Sequence, residues 1–267
     1  MDKTEISGYL KPGKVFGPIY FVGTYPTSSH LIDTGEGLIL VDIGYPATLW
    51  VVLENIKELG FDVKDIKIIL ISHGHYDHIG AAKELREITG AKIYVGAEDL
   101  KLVTGEDDPP LSSDWTDRHL HYLTPDVLIR DGDIIELGNI SIKCLSTPGH
   151  TDGTMSFFFE VTDREKRFLA GMFGGGGTNT LTEEFLTRFK LPFENREKFL
   201  KSIDALSKYN VEIFLGNHAK DNRTDIKLER VRNGEADAFY APDEWLSYLN
   251  ERRERLSQVI SEDKYGE

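Results

Sequence analysis

The chain has 267 residues, of which 40% are hydrophobic and 28% are charged, as in an ordinary folded globule. This length suits one large domain, and no linker composition divides it, so we predict a single domain over residues 1–267. Asp and Glu outnumber Lys and Arg by 45 to 31, which gives a net charge of -14. Such a surface repels the phosphates of nucleic acids and anionic lipids, so neither is an expected partner.

No stretch of the sequence predicts export or membrane insertion. The N-terminal segment lacks the apolar core of a secretory signal, and no later apolar run is long enough to span a bilayer. We therefore predict a cytoplasmic protein. The only cysteine, Cys144, cannot form an internal disulfide, and its place in the alternating run "ISIKCLS" predicts a buried strand residue.

The first half of the chain predicts alternating strands and helices. The short runs "PIYFVG", "HLIDT" and "GLILVDI" are separated by turn residues and indicate strands. Apolar residues recur at helical spacing in "ATLWVVLENIKELG" and "AAKELREITG", and the apolar runs "IKIILIS" and "AKIYVG" that follow them predict two more strands. From Ala97 to about Pro125 turn formers dominate and predict a long surface excursion.

The second half repeats this alternation. Turn signals divide "DVLIRDGDIIELGNISIKCLSTPG" into strands, and "TMSFFFEV" with "RFLAGM" predicts a hairpin. An amphipathic helix in "ENREKFLKSIDALSKY", a strand in "NVEIFLGN" and a helical C-terminal extension over about 222–267 follow. Two similar halves predict an α/β fold in which two sheets pack face to face with helices outside.

The segment "SHGHYDHIG" concentrates side chains that bind metals. His73, His75, Asp77 and His78 lie within six positions, in a chain that has only eight histidines. The segment follows a predicted buried strand, and loops at strand ends are where sheet proteins place much of their chemistry. Alternate residues of an extended loop point the same way, so His73 and His75 can converge on one ion while Asp77 and His78 turn toward a neighbour.

Two further histidines follow predicted strands, His150 in "STPGHTDG" and His218 in "GNHAK". Six nitrogen or oxygen ligands at strand ends are enough for two zinc ions. His30, inside a predicted strand, is expected to be packed or hydrogen-bonded. For His119 and His121, in the predicted excursion, solvated or pocket-rim positions are favoured over a third metal site.

These motifs resemble the metallo-β-lactamase superfamily. The run "HGHYDH", the segment "TPGHT" and the late "NH" match its pattern, and the similarity extends from about Tyr20 to His218. The resemblance implies a four-layer αββα sandwich with two Zn²⁺ ions per chain. It implies a first zinc ion held by His73, His75 and His150, and a second held by Asp77, His78 and His218.

The segment "FLAGM" departs from much of the superfamily, in which an aspartate at this strand end bridges both metals. Here Met172 takes that place, as in the third subclass of metallo-β-lactamases, and its sulfur is not expected to bind metal. Without a bridging carboxylate the metal pair keeps a formal charge of about +2 rather than about +1. We therefore expect a looser second metal and a substrate with an anionic group such as a carboxylate.

The resemblance implies a hydrolase. Two zinc ions lower the pKa of a shared water toward about 7, so a metal-bound hydroxide oriented by Asp77 would attack an amide- or ester-type carbonyl. The loops near Tyr25, Trp115 and Phe173 are expected to build the pocket for a small-molecule substrate. Lys220 is a candidate partner for a substrate carboxylate, and the alternative for this residue is a solvated surface lysine.

Several functions remain open beside a β-lactamase-like hydrolase. One alternative is a lactonase or thioesterase acting on an acyl metabolite, and another is a non-catalytic metal-binding or sensor protein, which a complete ligand set disfavours. A glutamate replaces His75 in the oxygen- and nitric-oxide-reducing branch, so di-iron redox chemistry is disfavoured. The negative charge disfavours the nucleases of the superfamily, and the sequence does not determine the oligomeric state.

Overall fold

The structure is a computed structural model that describes residues 2–106 and 122–265. Trp115, His119 and His121 lie outside the described residues, so the predictions for them stay predictions. None of the helices in the described part is both long enough and apolar enough to cross a membrane.

Twelve strands form two sheets in the described part of the chain. The first sheet contains β1 (Gly13–Phe16), β2 (Ile19–Phe21), β3 (His30–Asp33), β4 (Leu38–Val41), β5 (Ile66–Leu70), β6 (Lys92–Gly96) and β7 (Val127–Ile129). The second sheet contains β8 (Ile134–Leu137), β9 (Ile140–Ser146), β10 (Met155–Asp163), β11 (Lys166–Met172) and β12 (Ile213–Phe214).

Eight α-helices accompany the strands within the described ranges. They are α1 (Leu49–Glu58), α2 (Tyr76–Ile79), α3 (Ala82–Thr89), α4 (Leu100–Thr104), α5 (Glu183–Arg188), α6 (Glu194–Leu206), α7 (Thr224–Arg232) and α8 (Glu244–Tyr265).

Strand order follows chain order in the first sheet and runs β12-β11-β10-β9-β8 in the second. Pairs from β1 to β4 are antiparallel, whereas β4 to β7 are parallel. The second sheet is antiparallel except where β12 joins β11 in parallel. The peptide N–H of Met155 donates to the carbonyl of Ser72 at 2.8 Å, so the sheets are also joined where β5 ends.

Three apolar clusters define the layers. Ile39, Phe157 and Met172 belong to the cluster between the two sheets, and the outer face of the first sheet packs on α1 and α3. On the outer face of the second sheet, residues of α6 and α8, including Trp245, pack together. This arrangement is the predicted αββα sandwich, so the fold prediction is confirmed.

Several short elements were not predicted from the sequence. They are β1, α5 and α4, and α4 lies inside the segment predicted as an irregular excursion. The two helices have five and six residues, too few to show a 3.6-residue period, and the four residues of β1 are too few to show the alternation of a strand. The strand predicted in "NVEIFLGN" is limited to Ile213–Phe214, and the predicted C-terminal extension contains α7 and α8.

Candidate metal centre

The predicted ligands lie at one edge of the sandwich, where strands of both sheets end. His73, His75, Asp77 and His78 follow β5 of the first sheet and run into α2. His150 follows β9, and His218 follows β12, both of the second sheet. The three histidines after β5 are buried, and His150 and His218 are half-buried. The inter-sheet contact thus brings together ligands that are remote in the sequence.

Two groups of side chains in the described residues have ligand atoms within 4.8 Å of one another. The first group is His73, His75 and His150, in which His75 Nδ1 lies 3.0 Å from His150 Nε2. The second group is His73, Asp77 and His78. His73 therefore belongs to both groups and lies between them.

Neither group includes His218. Its ring lies edge-on to the ring of His78, with 5.1 Å between the centroids. His218 therefore lies beside His78, but it does not join Asp77 and His78 in a group whose ligand atoms all lie within 4.8 Å of one another.

In two of the predicted ligands, His73 and His78, the Nδ1 atom lies within hydrogen-bond distance of a neighbouring side chain. His78 Nδ1 donates to Asp42 Oδ2 at 2.8 Å, and His73 Nδ1 lies 3.1 Å from Ser72 Oγ. The Nε2 atom of His73 is buried and has no hydrogen-bond partner, and the Nε2 atom of His78 is buried and lies 3.2 Å from Asp77 Oδ2. A buried nitrogen without a partner opposite a supported one is the arrangement expected of a histidine that binds a metal.

The half-buried histidines are oriented by backbone carbonyls. His150 Nδ1 donates to the carbonyl of Gly177 at 2.9 Å, and His218 Nδ1 donates to the carbonyl of Pro26. Both contacts leave Nε2 for the metal centre. The imidazole and carboxylate donors therefore fit Zn²⁺, which binds nitrogen and oxygen ligands of these kinds.

The pKa values of the histidines differ between the two parts of the cluster. Burial and the neighbouring imidazoles lower the pKa of His73 and His75 well below the ordinary value, and burial lowers the pKa of His150 to about 4. Neutral imidazole is the form that binds metal. Burial also acts to lower the pKa of His78, but the carboxylates of Asp77 and Asp42 outweigh it and raise that pKa to about 10. Asp77 and Asp42 therefore stabilise a positive charge at the position of His78.

Two buried carboxylates near the site were not identified from the sequence. Asp42 directly follows β4 and accepts hydrogen bonds from His78, from the N–H and hydroxyl of Ser72, and from the amide of Asn217. Its position at a strand end is the signal that could have found it, since the same reasoning identified the histidines. Asp99 follows β6, and burial raises its pKa to about 6 although three hydrogen-bond donors act in the opposite direction.

Two glycines of the run at 174–177, Gly175 and Gly177, lie against His150. A Cβ atom on Gly175 would lie 2.9 Å from His150 Cβ, and one on Gly177 would lie 3.1 Å from His150 Cε1. Side chains at these positions would push the ring away, and the carbonyl of Gly177 could then not accept its hydrogen bond. The run therefore supports a ligand of the centre.

The predicted pocket residues differ in exposure. Tyr25 is 41% exposed and Lys220 is exposed, and their loops meet where the Ala219 N–H donates to the Tyr25 carbonyl, next to His218. Phe173 is only 1% exposed and packs on Phe199, with 5.7 Å between ring centroids. The expectation that Phe173 lines the pocket is therefore corrected, because this side chain belongs to the core outside the second sheet.

His30 and Cys144 have the structural roles expected of them, and Met172 lies in the core. Met172 is buried between the sheets and pairs with Phe157, so its side chain is a core side chain. His30 Nε2 lies 2.9 Å from the carbonyl of Gly216, and Cys144 is buried in β9. Burial raises the pKa of the Cys144 thiol to about 12, which leaves it unreactive.

A cavity of about 450 Å³ opens beside His75 and His150. Phe185 and Phe189 form part of its wall, with 4.7 Å between their ring centroids. Both residues come from α5 and the turn after it, a region the sequence analysis did not connect with the site.

Comparison with known proteins identifies the family of the chain. A family model described as the metallo-beta-lactamase superfamily matches residues 22–163. The chain is 28% identical over 152 residues to the probable metallo-hydrolase YflN of Bacillus subtilis, covering 52% of this chain and 55% of YflN. It is 30% identical over 130 residues to the hydroxyacylglutathione hydrolase GloC of Haemophilus influenzae, covering 48% of this chain and 58% of GloC. The chain thus spans little more than half of each relative.

Among solved structures, the fold is similar to BJP-1, a subclass B3 metallo-beta-lactamase of Bradyrhizobium japonicum, with a TM-score of 0.86 and 26% identity over 96% of both chains. A two-sheet sandwich with a histidine cluster at its edge is the architecture of a metallo-hydrolase. The chain belongs to the metallo-β-lactamase superfamily, and its structure is similar to subclass B3. The family resemblance predicted from the motifs is confirmed.

Proposed function

We propose that the protein is a zinc-dependent hydrolase with two metal ions, acting on an amide- or ester-type carbonyl of a small molecule. The observation that carries this proposal is the converging donor set at the edge of the sandwich. His75 Nδ1 and His150 Nε2 lie 3.0 Å apart, the buried Nε2 of His73 has no hydrogen-bond partner, and the Nε2 of His78 lies 3.2 Å from Asp77 Oδ2.

In this proposal His73, His75 and His150 hold the first ion, and Asp77, His78 and His218 hold the second. Zinc bound there supplies a water of lowered pKa and polarises the substrate carbonyl. Burial acts to raise the pKa of Asp77, but the neighbouring histidines lower it below the ordinary value, so the carboxylate is ionised. An ionised Asp77 can accept a hydrogen bond and orient a water molecule toward the carbonyl.

The surroundings of the centre support a small-molecule substrate. The cavity beside His75 and His150 lies in the size range of ligand sites, and Phe185 and Phe189 offer apolar contact to the non-reacting part of a substrate. On the opposite side Tyr25 and Lys220 are exposed next to His218, where Lys220 can pair with a substrate carboxylate. The net charge of -14 supports a substrate other than nucleic acid.

A second candidate activity is hydrolysis of a lactone or thioester of an acyl metabolite. The similarity to the hydroxyacylglutathione hydrolase GloC favours it. The donor set serves either reaction, because both begin with attack of water on an activated carbonyl. The substrate pocket rather than the centre therefore decides between the two.

The proposal is tested by zinc analysis of the purified protein, together with turnover of a chromogenic cephalosporin, a homoserine lactone and a thioester. We expect two zinc ions per chain and hydrolysis of at least one substrate, abolished by His78→Ala. Hydrolysis of only the lactone or thioester would select the second candidate. Absence of bound zinc, or zinc binding without any turnover that depends on His78, would overturn the enzyme proposal.

A further inference from the structure

The carboxylate of Asp99 connects the two loops that supply the first group of histidines. Asp99 is 2% exposed and lies in the turn between β6 and α4. Its Oδ2 accepts hydrogen bonds from the Gly74 N–H at 2.7 Å and from Thr151 Oγ1 at 2.8 Å, and its Oδ1 accepts one from the Gly153 N–H at 2.8 Å. All three donors come from other segments of the chain.

The more usual role for an aspartate at this position is absent. Asp99 directly precedes α4, where an aspartate commonly accepts a hydrogen bond from the first turn of the helix. Its side chain makes no such cap contact and turns away from α4. Three short hydrogen bonds to the two loops compensate for burial of the carboxylate. The charge of Asp99 therefore acts on these loops and not on the first turn of α4.

The donors are direct neighbours of the histidines. Gly74 separates His73 from His75, and Thr151 follows His150. The Thr151 hydroxyl lies 2.8 Å from the Thr154 hydroxyl, and the Thr154 hydroxyl also accepts from the Thr151 N–H at 3.1 Å. A displacement of the Asp99 carboxylate would therefore move the backbone on which all three imidazoles are mounted.

The packing around Asp99 leaves little freedom for either loop. A Cβ atom on Gly153 would lie 2.3 Å from the Asp99 nitrogen, and one on Gly96 would lie 2.0 Å from the Gly153 carbonyl oxygen. Backbone therefore contacts backbone, and only glycine allows the approach. Under these conditions the hydrogen bonds of one carboxylate can determine the separation of the loops.

We propose that Asp99 is a positioning residue of the first metal site. Its carboxylate holds the His73–His75 loop and the His150 loop at the separation that lets three imidazoles share one ion. This inference rests on the proposed zinc function, and it assigns to Asp99 a role in metal affinity beyond stabilising the fold.

The test is Asp99→Asn in the full-length protein. Asparagine keeps the size, but its Nδ2 cannot accept, so at least one of the three donors faces another donor. We expect zinc affinity at the first site, measured by competition with a chromophoric chelator, to fall about 10- to 100-fold. In the zinc-free protein we expect faster hydrogen exchange at the Gly74 and Gly153 amides.

The matched control is Asp152→Asn. Asp152 is an exposed carboxylate of the same loop and pairs with Lys198 at 2.6 Å, so the substitution removes a charge from the loop but none of the three hydrogen bonds of Asp99. It should leave zinc affinity unchanged. Unchanged affinity in a folded Asp99→Asn protein, even with a lower melting temperature, would show that Asp99 has only a structural role.

A second pair of variants decides the matter if Asp99→Asn does not fold. Thr151→Val removes one donor at nearly constant shape and should weaken zinc binding, whereas Thr151→Ser keeps the hydroxyl and should restore it. Equal zinc affinity in these two variants would overturn the inference. His75→Ala distinguishes failure of the Asp99 inference from failure of the proposed zinc function. Zinc binding that is unaffected by His75→Ala would contradict the proposed function itself.

Discussion

The two halves of the centre are built differently. His73, His75 and His150 are three imidazoles with lowered pKa values, and their ligand atoms lie within 4.8 Å of one another. The other half combines Asp77, His78 and the half-buried His218, whose ring lies 5.1 Å from that of His78. The first half is neutral and close together, whereas the second contains the negative charge and is more open.

The supporting carboxylates follow the same division. Asp99 contacts only neighbours of the first group, whereas Asp42 contacts His78 directly at 2.8 Å. A neutral, tightly held group of ligands selects a metal by its geometry. A charged, open group attracts a cation but holds it in a less defined position. We therefore expect the second metal to be the more easily lost.

Complete removal of metal should have the largest effect. Chelation should abolish turnover and lower the free energy of unfolding by about 4 kcal/mol relative to protein saturated at 1,000 times the dissociation constant. Zinc content and activity followed during titration with a chelator should show release in two steps, the first ion lost coming from the Asp77 half. Loss of both ions in one step would remove the proposed difference between the halves.

Removing one ligand from each half sharpens the comparison. Changes at residues that merely support a ligand cost about 10- to 100-fold in affinity, so loss of a ligand should cost at least about 100-fold at its own site. His150→Ala should therefore reduce zinc at the first site, and His218→Ala should leave about one ion bound. Metal analysis at fixed free zinc measures both, and loss of both ions from His218→Ala would contradict separate sites.

Asp42→Asn should have a smaller and more selective effect. Asp42 has a φ of 56°, which asparagine tolerates, so the backbone is preserved while the negative charge beside His78 is lost. We expect about a 10- to 100-fold loss of affinity at the second site and a smaller loss at the first, where Asp42 acts only through Ser72 beside His73. This is the reverse of Asp99→Asn. Chelator competition distinguishes the two patterns. Asp62→Asn, at an exposed carboxylate far from β4 in the chain, is the control.

Met172→Leu should have the smallest effect. Met172 is a core side chain between the sheets, and a swap of similar volume costs less than about 1.5 kcal/mol in unfolding free energy. Zinc content and turnover should be unchanged, as measured by metal analysis and steady-state kinetics. A marked fall in zinc content would show that the sulfur is a ligand after all.

Much of the fold could be predicted from local patterns. Helix α3 and strand β5 were recognised because each contains a full amphipathic or apolar run. Helix α5 was missed because its six residues are too few to show periodicity, and it contributes Phe185 to the cavity wall. Phe173 was misplaced because the sequence does not indicate whether the side chain that follows β11 points toward the centre or toward the outer helices.

The sequence by itself determined which side chains can bind metal and that they follow strands, because His73 to His78 are close in any fold. It could not bring His150 against His75, since these residues are 75 positions apart and meet only when the two sheets pack. The roles of Asp42, Asp99 and the glycines next to His150 also depend on the tertiary structure. Each acts through hydrogen bonds or close contacts between remote segments, which leave no local pattern in the chain.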